Sequence, residues 1–295
     1  MQRISFHDQI ARNKRKSIFL IIIILLVIIL LGYVIGLIYR DAFWLILIIA
    51  TIISIVYVMV GYYNSDKIAL ASVNAKQAKE SEYRQYHNIV EGLSIASGMP
   101  KPKLYIMENS QINAFATGRD PKHSAICVTT GALEKLDKHE LEGVLSHELS
   151  HIANFDVRFM TLTAVLVGMI SIISQIFLRS LWWSSGGRRD KNNAVIMIMG
   201  IVLAILAPIV VYFVQMAISR KREFSADASA VKFTRTPTGL IRALKKIKSE
   251  HPNVKEKRKI NKAVAPLFIS NPFEKAELGS THPSIDKRIG VLERM

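Results

Sequence analysis

His147-Glu148-Leu149-Ser150-His151 is the segment of this chain whose residue types and spacing speak most directly of chemistry. Histidines four apart on a helix stand one above the other on one face, so both imidazoles can reach a single ion. Glu148 is too near His147 in sequence to be a third ligand on that side. It is well placed to take a proton from water held at the ion. Two imidazoles and a carboxylate suit zinc, one ion per chain, with a fourth position open to water. The third ligand must come from a second helix. The best candidate is Glu223, in Ser219-Arg220-Lys221-Arg222-Glu223-Phe224-Ser225-Ala226-Asp227. Glu223 and Asp227 are four apart and share a face, and Ala226 and Ala230 let this helix press close to the first. With Glu223 as ligand, Asp227 is left to hydrogen-bond a ligand histidine from behind. The plain alternatives are an ordinary helix with two histidines and a basic helix with one more solvated charge.

These residues need elements to hold them. A helix starts near Asp137, with Glu140 three residues on in a capping-box arrangement. Leu141, Leu145, Leu149 and Ile152 form its core-facing stripe, so the histidines project from another face. Upstream, Lys103 to Met107, Asn113 to Thr117 and Ala125 to Thr129 read as short strands bounded by turn residues. Asn64 to Glu91 reads as a helix, with Gly98-Met99-Pro100-Lys101-Pro102 as its breaker. Arg220 to Met295 reads as helical and strongly charged. The single cysteine, Cys127, excludes an internal disulfide and reads as a small buried apolar residue.

The composition points to a membrane. Half of the 295 residues are hydrophobic, the mean hydropathy is +0.25, and the formal charge is +16. Such a charge suits nucleic acid or an anionic membrane face; the apolar runs favour the membrane and nothing favours nucleic acid. Ile18 to Tyr39 and Ala42 to Tyr63 are each long enough to cross a bilayer, with only Arg40 and Asp41 between them. A tight hairpin follows. Arg3, Arg12, Lys14, Arg15 and Lys16 precede it and place its outer ends, and the stretch from Asn64 to Val157, in the cytoplasm. Phe159 to Phe177 and Ala194 to Ile218 form a second apolar pair. Arg179, Arg188, Arg189 and Lys191 between them run against that orientation, so whether this pair spans fully stays open. The expected organisation is a basic N-terminus (1–17), a first hairpin (18–63), a first catalytic part (64–157), a second hairpin (158–218) and a second catalytic part (219–295). The stretch with Lys245, Lys246, Lys248 and Lys255 to Lys259 reads as a solvated face. His7, His87, His123, His139 and His251 have no metal-like spacing and read as surface or structural.

Taken in order, the N-terminal hairpin, Asn113-Ala114-Phe115-Ala116-Thr117-Gly118, HELSHIANFD (147–156), SRKREFSAD (219–227) and THPS (281–284) resemble the HtpX family. These are membrane gluzincins, a group that also includes the CAAX prenyl proteases. The resemblance covers nearly the whole chain. It implies a mainly α fold with a small β-sheet, two membrane hairpins and a zincin-type catalytic domain. It implies zinc on His147, His151 and Glu223, with Glu148 as base and acid. It also implies an endopeptidase of membrane-protein quality control and stress response, cutting misfolded or unfolded membrane proteins from the cytoplasmic face of the cell membrane. Asn113, Ala114, Phe115 and Ala116 match an edge strand beside the cleft, where an extended substrate can add as a further strand. His282 matches a segment near the site and could hydrogen-bond the oxyanion or only fix a loop. Rival readings are a CAAX-type protease of prenylated C-termini, a zinc-binding membrane scaffold or chaperone, and a transporter. The apolar runs lack the Asp, Glu and His that a transporter would need.

Overall fold

The computed structural model describes residues 6–38, 40–164, 168, 200, 220–250, 267–270 and 283–295. Its first apolar runs become two helices, α1 (Phe6–Ile38) and α2 (Phe43–Tyr63), joined by a 3-10 turn at Arg40–Ala42. They lie side by side, and the contact needs small residues. A Cβ on Gly32 would fall 2.1 Å from the Ala50 Cβ, and one on Gly36 would fall 2.9 Å from the Phe43 ring. Among the described residues, α2 is the one helix long and apolar enough to cross a membrane. Trp44, Leu45, Ile48, Ile52, Val56 and Met59 on α2 all lie exposed. α1 is two-faced. Ile18, Ile22, Leu26, Leu30 and Leu37 face outward, whereas Asn13, Ser17, Leu20 and Ile24, spaced by four, three and four, are buried against the rest of the protein.

The expected single helix from Asn64 to Glu91 is instead two. α3 (Ser65–Ser72) stops, Asn74 takes a left-handed φ of 52°, and β1 (Lys76–Gln77) pairs with the sheet before α4 (Arg84–Ser97) begins. Asn tolerates that backbone better than other non-glycine residues, which lets the chain reverse there. α4 buries Tyr86, Ile89, Val90 and Leu93, and ends at Gly98 with φ 68°.

β2 (Lys103–Met107), β3 (Ala114–Asp120) and β4 (His123–Thr129) complete a four-stranded mixed sheet in the order β1-β2-β4-β3. β2 and β4 are parallel; β3 and β4 are antiparallel, with a bulge at Gly118 to Asp120. Gly118 is required there: φ is 138°, and a Cβ would lie 2.3 Å from the His123 carbonyl oxygen. Strand alternation supplies two cores. Ala114, Ala116, Ile126 and Val128 face α4 and the helices beyond it. Phe115, Ala125, Cys127 and Met107 face the other way, onto Leu20 and Ile24 of α1 and onto Phe159 and Phe268. The Cys127 thiol is fully buried, which pushes its pKa up.

After α5 (Thr130–Lys135) comes α6 (Lys138–Ala153), whose capping box is closed in both directions. The Asp137 carboxylate accepts from the Glu140 amide at 2.9 Å, and the Glu140 carboxylate accepts from the Asp137 amide at 2.8 Å. A turn at Asn154 and Phe155 leads to a further helical stretch over residues 156–164. Phe159, Met160 and Leu162, which open the second apolar run, are buried in protein. Apart from residues 168 and 200, the rest of the expected second hairpin lies outside the described residues. α7 (Arg220–Thr234), α8 (Thr238–Ser249) and α9 (Ile285–Leu292) follow. α6 and α8 touch backbone to backbone: a Cβ on Gly143 would sit 2.4 Å from the Leu240 nitrogen, and one on Gly239 would sit 2.2 Å from the His139 oxygen. α7 meets α6 through buried Ala226 and Ala230. The basic face of α8 is solvated, as its charges suggest, with Lys248 on Asp286 and Lys246 on Glu140. Lys255 to Lys259 lie outside the described residues.

Candidate metal centre

α6 carries His147, Glu148 and His151 into the interior, where all three are buried. α7 brings Glu223 against them from a position 72 residues further along the chain. One ligand atom from each of His147, His151 and Glu223 lies within 4.8 Å of the others. The two Nε2 atoms are 3.2 Å apart. Glu223 Oε2 lies 3.6 Å from Nε2 of His147, and Oε1 lies 3.7 Å from Nε2 of His151.

The outer nitrogens fix the tautomers. His147 Nδ1 lies 2.9 Å from Asp227 Oδ1, and His151 Nδ1 lies 3.1 Å from Asp156 Oδ2. A carboxylate only accepts, so each Nδ1 must donate, and each Nε2 faces the shared centre. Two imidazole nitrogens and a carboxylate facing one another at these distances suit a cation, a proton or a metal ion, between them. Ligands about 2.0–2.1 Å from a tetrahedral zinc lie roughly 3.3–3.4 Å from each other. The observed 3.2 to 3.7 Å brackets that separation. The residues therefore fit the ion.

The electrostatics agree. Burial and the Arg288 guanidinium push the His147 pKa down, but the Asp227 and Glu223 carboxylates outweigh them and raise it to about 9. The same carboxylates would favour a metal as they favour the proton. Burial raises the Glu148 carboxyl above its ordinary range, with the two imidazoles and the Ala116 amide of β3 pulling it partly back. Neither Glu148 oxygen has a hydrogen bond of normal geometry among the described residues. A buried carboxyl so placed is a candidate for a role in chemistry.

Sequence reasoning left one central residue without a role. Arg288, on α9, is fully buried; its Nε and Nη2 donate to the two Asp227 oxygens at 2.9 and 2.6 Å. Its Nη1 lies 3.3 Å from Glu223 Oε2 and donates to the Ile269 carbonyl at 3.3 Å. Asp156 went unassigned in the same way, although it stands in the motif itself. Neither stands out locally, since Arg288 follows Asp286 and Lys287 and Asp156 lies two residues before Arg158. Burial raises the Asp227 carboxyl, and the charges of Arg288 and His147 bring it below the usual carboxylate value.

β3 is an outer strand of the sheet and runs beside α6. Asn113, Ala114, Phe115 and Ala116 are all buried, and part of the outer edge already has a partner. Phe115 bridges Phe268, the Ile269 backbone amide donates to the Ala114 carbonyl at 3.0 Å, and the Asn113 side-chain Nδ2 donates to the Ser270 carbonyl at 2.8 Å. Among the described residues this pairing stops at Phe115, and Ala116 beyond it lies next to Glu148. His282 lies outside the described residues. His123 pairs with Asp120 on the surface, and His139 lies near Glu142, both away from the centre.

Residues 80–295 match the model for Peptidase family M48. "Protease HtpX homolog" of Thermoanaerobacter pseudethanolicus is 44% identical, over 100% of this chain and 99% of its own length. "Protease HtpX homolog" of Caldanaerobacter subterraneus subsp. tengcongensis is 42% identical over the same shares. Among solved structures, S. mikatae Ste24p is similar at 17% identity and a TM-score of 0.48, over 84% of this chain and 57% of that one.

Proposed function

The chain belongs to peptidase family M48 and is a metalloprotease, and we propose that it is a membrane-embedded zinc endopeptidase whose site opens to the cytoplasm. Its substrates on this reading are unfolded or damaged membrane proteins. The observation that carries the proposal is the meeting of His147, His151 and Glu223 around one point, with buried Glu148 beside it. The exposed apolar faces of α1 and α2 support the bilayer, and the basic residues before Ile18 support the orientation.

In this reading His147, His151 and Glu223 hold the zinc. Bound zinc supplies Lewis acidity, acidifying a water and polarising the scissile carbonyl. Glu148 takes the proton as the water oxygen bonds to the carbonyl carbon. It returns that proton to the amide nitrogen as the carbon–nitrogen bond breaks. A pKa raised by burial suits a group that must do both. Asp227 and Asp156 hold the imidazoles in the tautomers described above. The outer edge of β3 beyond Ala116 holds an extended substrate through backbone hydrogen bonds, which recognise no particular sequence.

The test is zinc content and casein cleavage for the wild type and Glu148→Gln, purified side by side in detergent. One zinc in each, with cleavage by the wild type alone, is the expected result. Loss of zinc from Glu148→Gln would make Glu148 a ligand and sink its role as base. Zinc in both with cleavage of no unfolded substrate by either would move the function to a narrow specificity or a scaffold.

A further inference from the structure

Asn13 belongs to the basic segment ahead of the first apolar run, between Arg12 and Lys14, both of which lie exposed. Asn13 itself is only 3% exposed. Its side-chain nitrogen donates to Asp156 Oδ1 at 2.6 Å and to the Asn154 carbonyl at 3.0 Å. Both partners are pure acceptors. The reversed amide would set an oxygen against two oxygens, so the network fixes the orientation. The other Asp156 oxygen is the one that accepts from His151 Nδ1. An unbroken line of hydrogen bonds therefore runs from α1 through Asp156 to His151. Nothing about α1 makes this contact incidental. The Ser17 hydroxyl donates to the Asn13 carbonyl, and Leu20 and Ile24 continue the same buried stripe into the core under the sheet.

We infer that Asn13 is a positioning residue of the metal centre, supplied by the N-terminal helix. It holds the Asp156 carboxylate so that His151 keeps its proton on Nδ1 and turns Nε2 to the ion. The inference rests on the proposed zinc ligation by His151. The need for such a hold is visible in the surroundings. Lys16 and Arg222 both feel the charge of Asp156. Without the Asn13 amide, Asp156 Oδ1 loses its buried donor, and these cations offer the carboxylate another direction. His151 would then be free to turn. Groups that orient a ligand histidine in this way typically govern metal affinity by about 10- to 100-fold.

The experiment uses the full chain in detergent and measures the zinc dissociation constant by competition with a chromogenic chelator. Asn13→Ala is expected to bind zinc about tenfold more weakly, with kcat reduced and KM for casein kept. Asn13→Asp has the same shape, lacks the donor and faces Asp156 with like charge; it is expected to lose more. That variant carries the test should alanine cost the fold. Ser17→Ala, on the same helix face, is expected to bind zinc as the wild type does. In an Asp156→Ala background, Asn13→Ala is expected to add nothing. Wild-type zinc affinity in both Asn13 variants would overturn the inference, as would effects of Asn13→Ala and Asp156→Ala that simply add. A wild-type chain without zinc would instead sink the metal reading on which the inference stands.

Discussion

Arg288→Met is the substitution that probes the centre most sharply, because it removes charge and keeps much of the packing stem. Arg288 makes two short hydrogen bonds to Asp227, approaches Glu223 at 3.3 Å and is fully buried. Its loss leaves the Asp227 carboxylate in the interior with His147 as its remaining partner. Breaking a buried ion pair from one side costs about 3–5 kcal/mol. At roughly 2–4 °C per kcal/mol for a domain of this size, the melting temperature should fall by about 6–20 °C. The assay is intrinsic-fluorescence melting in detergent at one fixed scan rate, with EDTA and with excess zinc. Zinc is expected to recover part of the loss, since a cation on Glu223 and His147 replaces some of the missing charge. Arg288→Lys keeps the charge without the two-pronged geometry and should fall between. The pH dependence has a definite sign. The folded pKa of Asp227 lies below its ordinary value, so the pair stabilises the fold above about pH 3.9 and that contribution is lost as pH falls through the depressed value. A melting temperature within about 2 °C of wild type in EDTA would refute this account of Arg288.

Zinc must displace the proton that His147 keeps up to about pH 9. Apparent zinc affinity, by chelator competition, should therefore rise about tenfold per pH unit from pH 7 to 9; a flat profile would contradict it. Gly143→Ala should lower the melting temperature although alanine is the better helix former. Its Cβ would meet the α8 backbone at 2.4 Å, and overpacking of this kind costs about 1–3 kcal/mol. A fragment starting after Tyr63 should aggregate and bind zinc weakly. It forfeits Leu20 and Ile24, worth roughly 3–6 kcal/mol together, as well as Asn13. Size-exclusion chromatography and zinc titration check this, and a stable monomer of full affinity would contradict it.

What the sequence shows plainly is what repeats along one helix or one strand. The capping box at Asp137, the leucine stripe of α6 and the spacing of His147 and His151 are all local, and so are the three longer strands. Glu223 was within reach because Asp227 and the alanines beside it share one helical face. Residues joined only by the fold were out of reach. Arg288 meets Asp227 across 61 positions, and Asn13 meets Asp156 across 143. No periodicity encodes such pairs. β1 is two residues long and carries no pattern, and its existence depends on pairing with β2. For the same reason the break at Asn74 is invisible in a stretch whose composition suits a helix. The partial closure of the β3 edge by Phe268 and Ile269 is likewise a meeting of distant segments.

The burial of α1 under the sheet also bears on how the molecule comes to be made. Asn13 leaves the ribosome 275 positions ahead of Arg288. At about 5–20 residues per second, roughly 15–55 s separate them. For most of that interval α1 and α2 are both complete, while Arg288 has yet to be made. Until Arg288 emerges, Asp227 lacks its buried cation, so the centre that Asn13 reaches from the other end of the fold is completed late.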